Sequence, residues 1–223
     1  MTLSVLIFDM DGVLVDVTGS YREAIIATVA HFTGQRPTHD EIQDWKNRAG
    51  YNNDWELSRA MVRQRGREAA YQEVVDVFQR LFVGQNHNGL ILQERWLPRN
   101  GLLERLATRY RLAIFTGRLR REAEFTLRRF IPTLRFDPLV GMEDVQRQKP
   151  NPEGLLKIRA ACGEDLLYVG DSIDDCHAAS AAGVRFVGVA APGLPYREML
   201  ARHFRSGGAL AVIPDVNQLE EVL

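Results

Sequence analysis

Two aspartates one residue apart close a short apolar run near the start of the sequence. The run covers residues 3–8, and Ser4 is its only polar member. This pattern is typical of a strand that is buried on both faces of a parallel sheet. Asp9 and Asp11 follow it, and side chains two apart on extended backbone point the same way. Two such carboxylates need a nearby cation or a shared proton. The segment therefore predicts a metal site, an acid/base pair, or both.

The overall composition excludes several classes of function. The chain has 223 residues, which suits one large domain or a core domain with an insert. Its net charge of -1 gives no electrostatic basis for binding nucleic acid or an anionic membrane. We see no apolar run near the ~20 residues of a membrane span and no signal peptide. Two cysteines do not form a disulfide framework, so a cytoplasmic protein with reduced thiols is expected.

The first strand is followed by about eighty residues whose apolar positions recur at helical spacing. Three segments also carry a side chain suited to cap a helix, with a glutamate three residues later. These pairs are Ser20 with Glu23, Thr38 with Glu41, and Asn53 with Glu56. We therefore predict an all-helical insert over residues 17–96.

Strands and helices alternate in the remainder of the chain. The predicted strands are 111–116, 136–141, 166–170, 185–189 and 209–213, and the predicted helices are 118–130, 152–162 and 174–182. Such alternation favours a parallel sheet with right-handed crossovers. The first strand belongs to this sheet, so the predicted core domain is 1–16 plus 97–223. The expected fold class is α/β.

Polar residues follow several of these strands. Thr116 and Gly117 come directly after one, and Lys149 precedes Pro150 in a loop. Asp171 and Asp175 follow the strand at 166–170. Open α/β sheets bind ligands outside the carboxyl ends of their strands, so these groups are expected to meet Asp9 and Asp11.

The combination suits phosphoryl transfer. A phosphate monoester needs charge neutralisation, a nucleophile and a proton for its leaving group. Asp9 can attack phosphorus and form an aspartyl-phosphate, while Asp11 can serve as general acid and then general base. Mg²⁺ takes oxygen ligands and one or two carboxylates, which Asp9 and Asp171 can supply. Thr116 and Lys149 can bind the phosphate oxygens.

These four motifs together resemble those of the haloacid dehalogenase superfamily, in its phosphoglycolate-phosphatase-like branch. The first motif is the segment from Asp9 to Asp16, and the others centre on Thr116, Lys149 and Asp171. The resemblance implies a Rossmann-like core with an inserted helical cap. It further implies the residue roles that follow. Asp9 is nucleophile and metal ligand, Asp11 is acid/base and binds metal through its backbone carbonyl, Thr116, Gly117 and Lys149 hold phosphate, Asp171 binds metal, and Asp175 supports it.

Within that resemblance, Asp11 favours cleavage of a phosphate ester over dehalogenation or phosphonate cleavage. Family dehalogenases and phosphonate-cleaving members lack this aspartate. The implied activity is a Mg²⁺-dependent phosphatase acting on a small phosphorylated metabolite. A sugar phosphomutase shares all four motifs and stays open as an alternative. A catalytically silent binding protein of the same fold is a third reading, which is disfavoured because Asp9, Asp11, Lys149 and Asp171 are all present.

The insert offers candidates for substrate recognition. In related caps, a loop between the first helices reaches over the active site, and the corresponding segment here holds Arg48, Asn52 and Asn53. Asn52 and Asn53 suit turn and cap positions as well as they suit substrate recognition, and a residue such as Arg48 is more often solvated than functional. The substrate itself is not encoded by fold and catalytic motifs.

Overall fold

The protein contains a parallel sheet, as the strand and helix alternation predicts. The computed structural model describes residues 5–46, 48, 51, 53–194 and 196–223. Within these residues the main sheet has six parallel strands in the order β5-β4-β1-β6-β7-β8, and β2 pairs with β3 separately. The strands are β1 (Val5–Phe8), β2 (Val15–Asp16), β3 (Arg95–Trp96), β4 (Arg111–Phe115), β5 (Leu139–Val140), β6 (Leu166–Gly170), β7 (Arg185–Val189) and β8 (Ala211–Ile213).

The register of the central strands brings their carboxyl ends to one edge of the sheet. β1 lies between β4 and β6, and Phe8 pairs with Ile114 on one side and Val169 on the other. The residues that follow each strand, Asp9 among them, therefore leave the sheet together. This register places the first, second and fourth motifs side by side.

The helices lie in both of the compact units into which the chain divides. They are α1 (Tyr21–Thr33), α2 (His39–Lys46), α3 (Asp54–Gln64), α4 (Tyr71–Phe82), α5 (Leu102–Ala107), α6 (Arg120–Phe130), α7 (Glu153–Cys162), α8 (Ile173–Ala182) and α9 (Arg197–Ser206). One unit comprises Met1–Val15 and Trp96–Leu223, and the other Asp16–Arg95. The predicted insert, 17–96, is offset from the second unit by a single residue at each end.

The second unit is built around α1, which packs against α3 and α4. Ile25, Leu57, Met61 and Phe78 are fully buried there, as expected for the apolar faces of packed helices. Its described residues 16–46, 48, 51 and 53–95 are otherwise joined by turns and short 3₁₀ segments.

The three predicted capping pairs have different outcomes. Thr38 and Glu41 form the reciprocal pair, with N–H donors bonded at 2.7 and 3.1 Å. Asn53 caps α3 by accepting from two backbone N–H groups. The prediction for Ser20 is wrong, because its side chain makes no capping bond to α1 and its hydroxyl donates to the Val17 carbonyl instead.

In the first unit, helices α7 to α9 cover one face of the sheet. Successive strand residues point to opposite faces, and Ile7, Ala113, Phe115 and Tyr168 form the core on this face. β1 and β6 are buried along their whole length, as the continuous apolar runs predict.

Several elements differ from the sequence-based expectations. The strand predicted at 136–141 is limited to Leu139–Val140. Helices α5 and α9 were not predicted, nor was the pairing of β2 with β3. Strands of two residues are too short to show a periodicity of their own.

A buried glycine gives a direct test of the packing of α7 on the sheet. Alanine normally stabilises a helix relative to glycine, by up to about 1 kcal/mol. A Cβ on Gly154 would, however, lie 2.1 Å from the Phe115 ring. We expect Gly154→Ala to lower the free energy of unfolding by about 1–3 kcal/mol, as overpacking does. Urea unfolding measures this change.

The matched control is Ala160→Gly, at an exposed position of the same helix. It should cost about 1 kcal/mol, the ordinary helix preference. A stabilised Gly154→Ala protein would contradict the packing of α7 on Phe115.

Candidate active site

A buried lysine lies between two buried aspartates at the carboxyl edge of the sheet. The Nζ atom of Lys149 is 3.0 Å from Oδ1 of Asp9 and 2.7 Å from Oδ1 of Asp175. The three side chains are at most 7% exposed. Burying a charge is costly unless it is paired and hydrogen-bonded, so the ammonium and the two carboxylates hold one another in place.

The carboxylate of Asp175 is fully occupied by hydrogen bonds. Its Oδ2 accepts from the Ser172 hydroxyl at 2.6 Å and from the backbone N–H groups of Asp171 and Ser172 at 3.2 and 3.0 Å. Ser172 in turn caps α8 by accepting from the Asp175 N–H at 3.1 Å, which makes a reciprocal capping box. Asp175 is thus a structural counter-ion for Lys149.

Tyr168 completes this network from inside β6. Its hydroxyl lies 2.6 Å from Oδ1 of Asp175 and accepts from Lys149 Nζ at 3.2 Å. From the sequence, Tyr168 is predicted only as part of the strand at 166–170. The available signal was a phenol in a continuous apolar strand, since a buried tyrosine hydroxyl usually has a partner.

Asp171 reaches back to the first motif. A Cβ placed on Gly12 would lie 1.9 Å from Oδ2 of Asp171, and Gly12 has a φ of +73°. Glycine is therefore required at this position both for its backbone conformation and for the space it leaves. Asp9, Asp171 and Asp175 offer carboxylate oxygens that all lie within 4.8 Å of one another.

Burial and crowding raise the pKa values of two of these carboxyls. The pKa of Asp9 is raised to about 7, chiefly by burial, against the opposing effect of Lys149 and with help from Asp175 and Asp11. Burial, followed by Asp175 and Asp9, raises the pKa of Asp171 well above its usual value. Burial tends to lower the pKa of Lys149, but Asp175 and Asp9 outweigh it and the net shift is upward.

These shifts express an excess of negative charge that a cation would relieve. Asp175 has its oxygens engaged, so Asp9 and Asp171 are the carboxylates best placed to bind a divalent ion. Two carboxylates completed by water and phosphate suit Mg²⁺. The residues present therefore fit a divalent metal.

Thr116 directly follows β4, and its hydroxyl is oriented by the next residues. It is 2% exposed, its N–H donates to the Val140 carbonyl at 3.0 Å, and its Oγ1 accepts from the Arg118 N–H at 3.2 Å. The hydroxyl hydrogen can then be donated to a ligand oxygen. Gly117 lies between the two and is half-buried.

Asp11 is held by an arginine from the second motif. Oδ1 of Asp11 lies 2.6 Å from Nε and 2.5 Å from Nη2 of Arg118. Arg118 is not among the site residues predicted from the sequence. Its only signal there is its closeness to Thr116, because a basic residue after a strand is usually solvated.

The candidate substrate residues of the insert belong to the second unit. Asn52 lies outside the described residues. Arg48 is exposed, and its guanidinium lies 4.6 Å from the centre of the Trp45 ring. Oδ1 of Asn53 accepts from the N–H groups of Trp55 and Glu56 at 2.9 and 3.3 Å, so this oxygen serves as a helix cap.

Two further features bear on the sequence-based expectations. Cys162 and Cys176 are both free thiols. A helix suited to span a membrane is not found among the residues that the structure describes.

Comparison with known proteins identifies the family. The model for the haloacid dehalogenase-like hydrolases matches residues 6–189, and the chain belongs to this family. The resemblance found in the sequence is thereby confirmed. The matched segment includes the aspartates, Thr116, Lys149 and Asp171 described above.

Two relatives are similar in sequence to most of the chain. The chain is 36% identical over 198 residues to imidazoleglycerol-phosphate dehydratase of Phytophthora nicotianae, an alignment covering 84% of this chain and 43% of the relative. It is 27% identical over 190 residues to phosphoglycolate phosphatase 1 of Pseudomonas aeruginosa, covering 80% of this chain and 66% of that enzyme. The chain thus spans less than two thirds of the length of either protein.

A solved structure shows the same fold over the whole chain. The phosphonoacetaldehyde hydrolase-like protein of Oleispira antarctica superposes with a TM-score of 0.77 at 18% identity, covering 100% of this chain and 91% of that one. At this identity the likeness concerns the fold alone.

The capping geometry of Asn53 yields a prediction that separates its two roles. Asn53→Ala removes the acceptor for two N–H groups and should cost about 1 kcal/mol of stability. Asn53→Asp keeps a capping oxygen and is the matched control. Chemical unfolding of both variants measures the difference.

A role in substrate recognition would instead appear in the relative kcat/KM values across a panel of phosphate esters. If the cap is the whole role of Asn53, these relative values stay those of the wild-type protein. A changed order of substrates in Asn53→Ala would contradict a purely structural role.

Proposed function

We propose that the protein is a Mg²⁺-dependent phosphatase that hydrolyses a small phosphate monoester through an aspartyl-phosphate on Asp9. The observation that carries this proposal is the buried Lys149 between Asp9 and Asp175, with Asp11 and Asp171 at the same edge of the sheet. Membership of a hydrolase family supports it.

In the first half-reaction, a carboxylate oxygen of Asp9 attacks phosphorus and the bond from phosphorus to the alkoxide oxygen breaks. Asp11 gives its proton to that oxygen, and the alcohol departs. Lys149 and the Thr116 hydroxyl stabilise the charge on the phosphoryl oxygens. The paired position of Lys149 fixes its ammonium before the substrate arrives.

In the second half-reaction, Asp11 is a carboxylate and can act as a base. It takes a proton from water as the water oxygen attacks phosphorus, and the bond to Asp9 breaks. Inorganic phosphate leaves, and both aspartates return to their starting protonation states.

Asp9 and Asp171 would hold the metal, with the Asp11 backbone carbonyl as the further protein ligand that the family resemblance implies. Mg²⁺ would supply charge neutralisation between the carboxylates and the phosphate. Asp175 would keep its hydrogen bonds and support the site through Lys149. Ca²⁺ has a larger and looser ligand shell, so it is expected to inhibit.

The names of the relatives suggest a first substrate panel. Phosphoglycolate and imidazoleglycerol phosphate are both small phosphate esters, and they are named in the relatives above. Phosphonoacetaldehyde serves as a contrast, because Asp11 is suited to protonate an oxygen leaving group. We expect hydrolysis of one or more phosphate esters and no cleavage of the phosphonate.

The nucleophile is tested by Asp9→Asn. The amide keeps the shape of the side chain but is a poor nucleophile and not an anionic ligand, so turnover of every substrate should be lost. The matched control is Asp165→Asn at the opposite end of β6, where the carboxylate pairs with Arg185 and is about half exposed. Phosphate release measures both variants, and turnover by Asp9→Asn near the wild-type rate would contradict the mechanism.

Removal of divalent metal tests the role of Asp9 and Asp171. Activity should vanish in chelator and return with Mg²⁺. The melting temperature of the wild-type protein should rise with Mg²⁺ because a ligand that binds the native state stabilises it. Asp171→Asn should lose that rise, and full activity in chelator would contradict a metal-dependent reaction.

The same assays distinguish the alternatives. A phosphomutase would require a bisphosphorylated sugar activator and would return a sugar phosphate rather than inorganic phosphate. A silent binding protein would release no phosphate from any ester in the panel, and either result would replace the phosphatase proposal.

A further inference from the structure

Arg118 is a fully buried arginine whose charge is directed at one oxygen of the candidate acid/base. Its side chain is 1% exposed, while that of Asp11 is 34% exposed. Within the described part of the chain, the hydrogen bond from Nε and the contact of Nη2 both go to Oδ1 of Asp11. Neither contact involves Oδ2, the second oxygen of the same carboxylate.

The arginine is itself anchored on several sides. Nη1 donates to the Thr126 hydroxyl of α6 at 3.1 Å. The Arg118 N–H donates to Thr116 Oγ1 at 3.2 Å, and its carbonyl accepts from the Met142 N–H at 2.8 Å. The guanidinium therefore has little freedom to move. Its contacts in turn limit the movement of the Asp11 carboxylate.

A merely structural role explains this arrangement less well. A buried guanidinium needs a partner of opposite charge, and here the arginine directs one hydrogen bond and one ion-pair contact to a carboxylate that is 34% exposed. A fixed fork of donors restricts a carboxylate more than the mobile ammonium of a lysine does.

We propose that Arg118 is a positioning residue that fixes Asp11 for proton transfer, with Oδ1 held and Oδ2 presented to the leaving-group oxygen. The proposal deepens the proposed function and rests on it. It assigns to the residue after Thr116-Gly117 a part in proton transfer that is separate from phosphate binding.

The kinetic test compares leaving groups in single-turnover phosphorylation. An alkoxide needs the proton from Asp11, whereas a phenolate of low pKa leaves without it. Arg118→Gln should slow alkyl phosphates by about 10²-fold, within the range for general acid catalysis, and aryl phosphates far less. Arg118→Lys should recover part of the loss, because an ammonium still pairs with Asp11.

Arg120→Gln is the matched control, two residues further along. Its guanidinium bonds the Leu139 carbonyl at 2.5 Å and Asp144 at 2.6 Å, away from Asp11. Its ratio of alkyl to aryl rates should equal that of the wild-type protein. An equal loss for both substrate classes in Arg118→Gln would overturn the proposal and indicate a structural or phosphate-binding role.

A double variant tests whether Arg118 acts through Asp11. Asp11→Asn should already have lost the proton transfer that alkyl phosphates need. Adding Arg118→Gln should therefore slow phosphorylation by neither the alkyl nor the aryl phosphate any further. If the double variant is phosphorylated more slowly than Asp11→Asn by both alkyl and aryl phosphates, Arg118 acts elsewhere. If Arg118→Gln does not fold, Thr126→Val removes the hydroxyl that accepts from Nη1 and should shift the rate ratio in the same direction by less.

A crystal structure of Arg118→Gln gives an answer that does not depend on turnover. The Asp11 carboxylate should leave its position while Asp9 and Lys149 keep theirs. An unmoved Asp11 would overturn the positioning role even in an inactive protein. Absence of phosphatase activity in the wild-type protein would count against the proposed function alone.

Discussion

The rest of the site depends on the contacts that the buried Lys149 ammonium makes. It lies within 3.0 Å of both Asp9 and Asp175. Removing one partner from a buried pair typically costs about 3–5 kcal/mol, because the other charge is left uncompensated. The end of β1, the first turn of α8 and the loop before α7 must therefore meet at one point.

This arrangement also gives each carboxylate a different task. Asp175 has every oxygen engaged, so it neutralises charge and supports α8. Asp9 shares the same lysine but has fewer partners, and burial raises its pKa. Asp171 lies against Gly12 with its pKa raised. Asp11 is 34% exposed and contacts an arginine of its own. Identical side chains thus differ because of their surroundings.

The sequence predicted the fold class, the family and the strands of the central sheet, because these strands are continuous apolar runs. It also predicted which residues meet at the sheet edge, since parallel strands end on the same side. It did not predict the hydroxyl of Tyr168 or the guanidinium of Arg118 as parts of the site. Their roles depend on contacts between residues far apart in the chain, as with Arg118 and Asp11, and no local pattern encodes such contacts. Ser20 shows the converse, because its capping pattern was present but its hydroxyl bonds a nearer carbonyl.

The most direct test of the central claim is to trap the phosphorylated enzyme. The protein, turning over a phosphate ester with Mg²⁺, is quenched with borohydride, which reduces an acyl phosphate to an alcohol. Peptide mass spectrometry then locates the reduced side chain. The account predicts homoserine at position 9 and an unmodified aspartate at positions 11, 171 and 175. Reduction at another aspartate, or turnover with none reduced, would contradict Asp9 as the nucleophile.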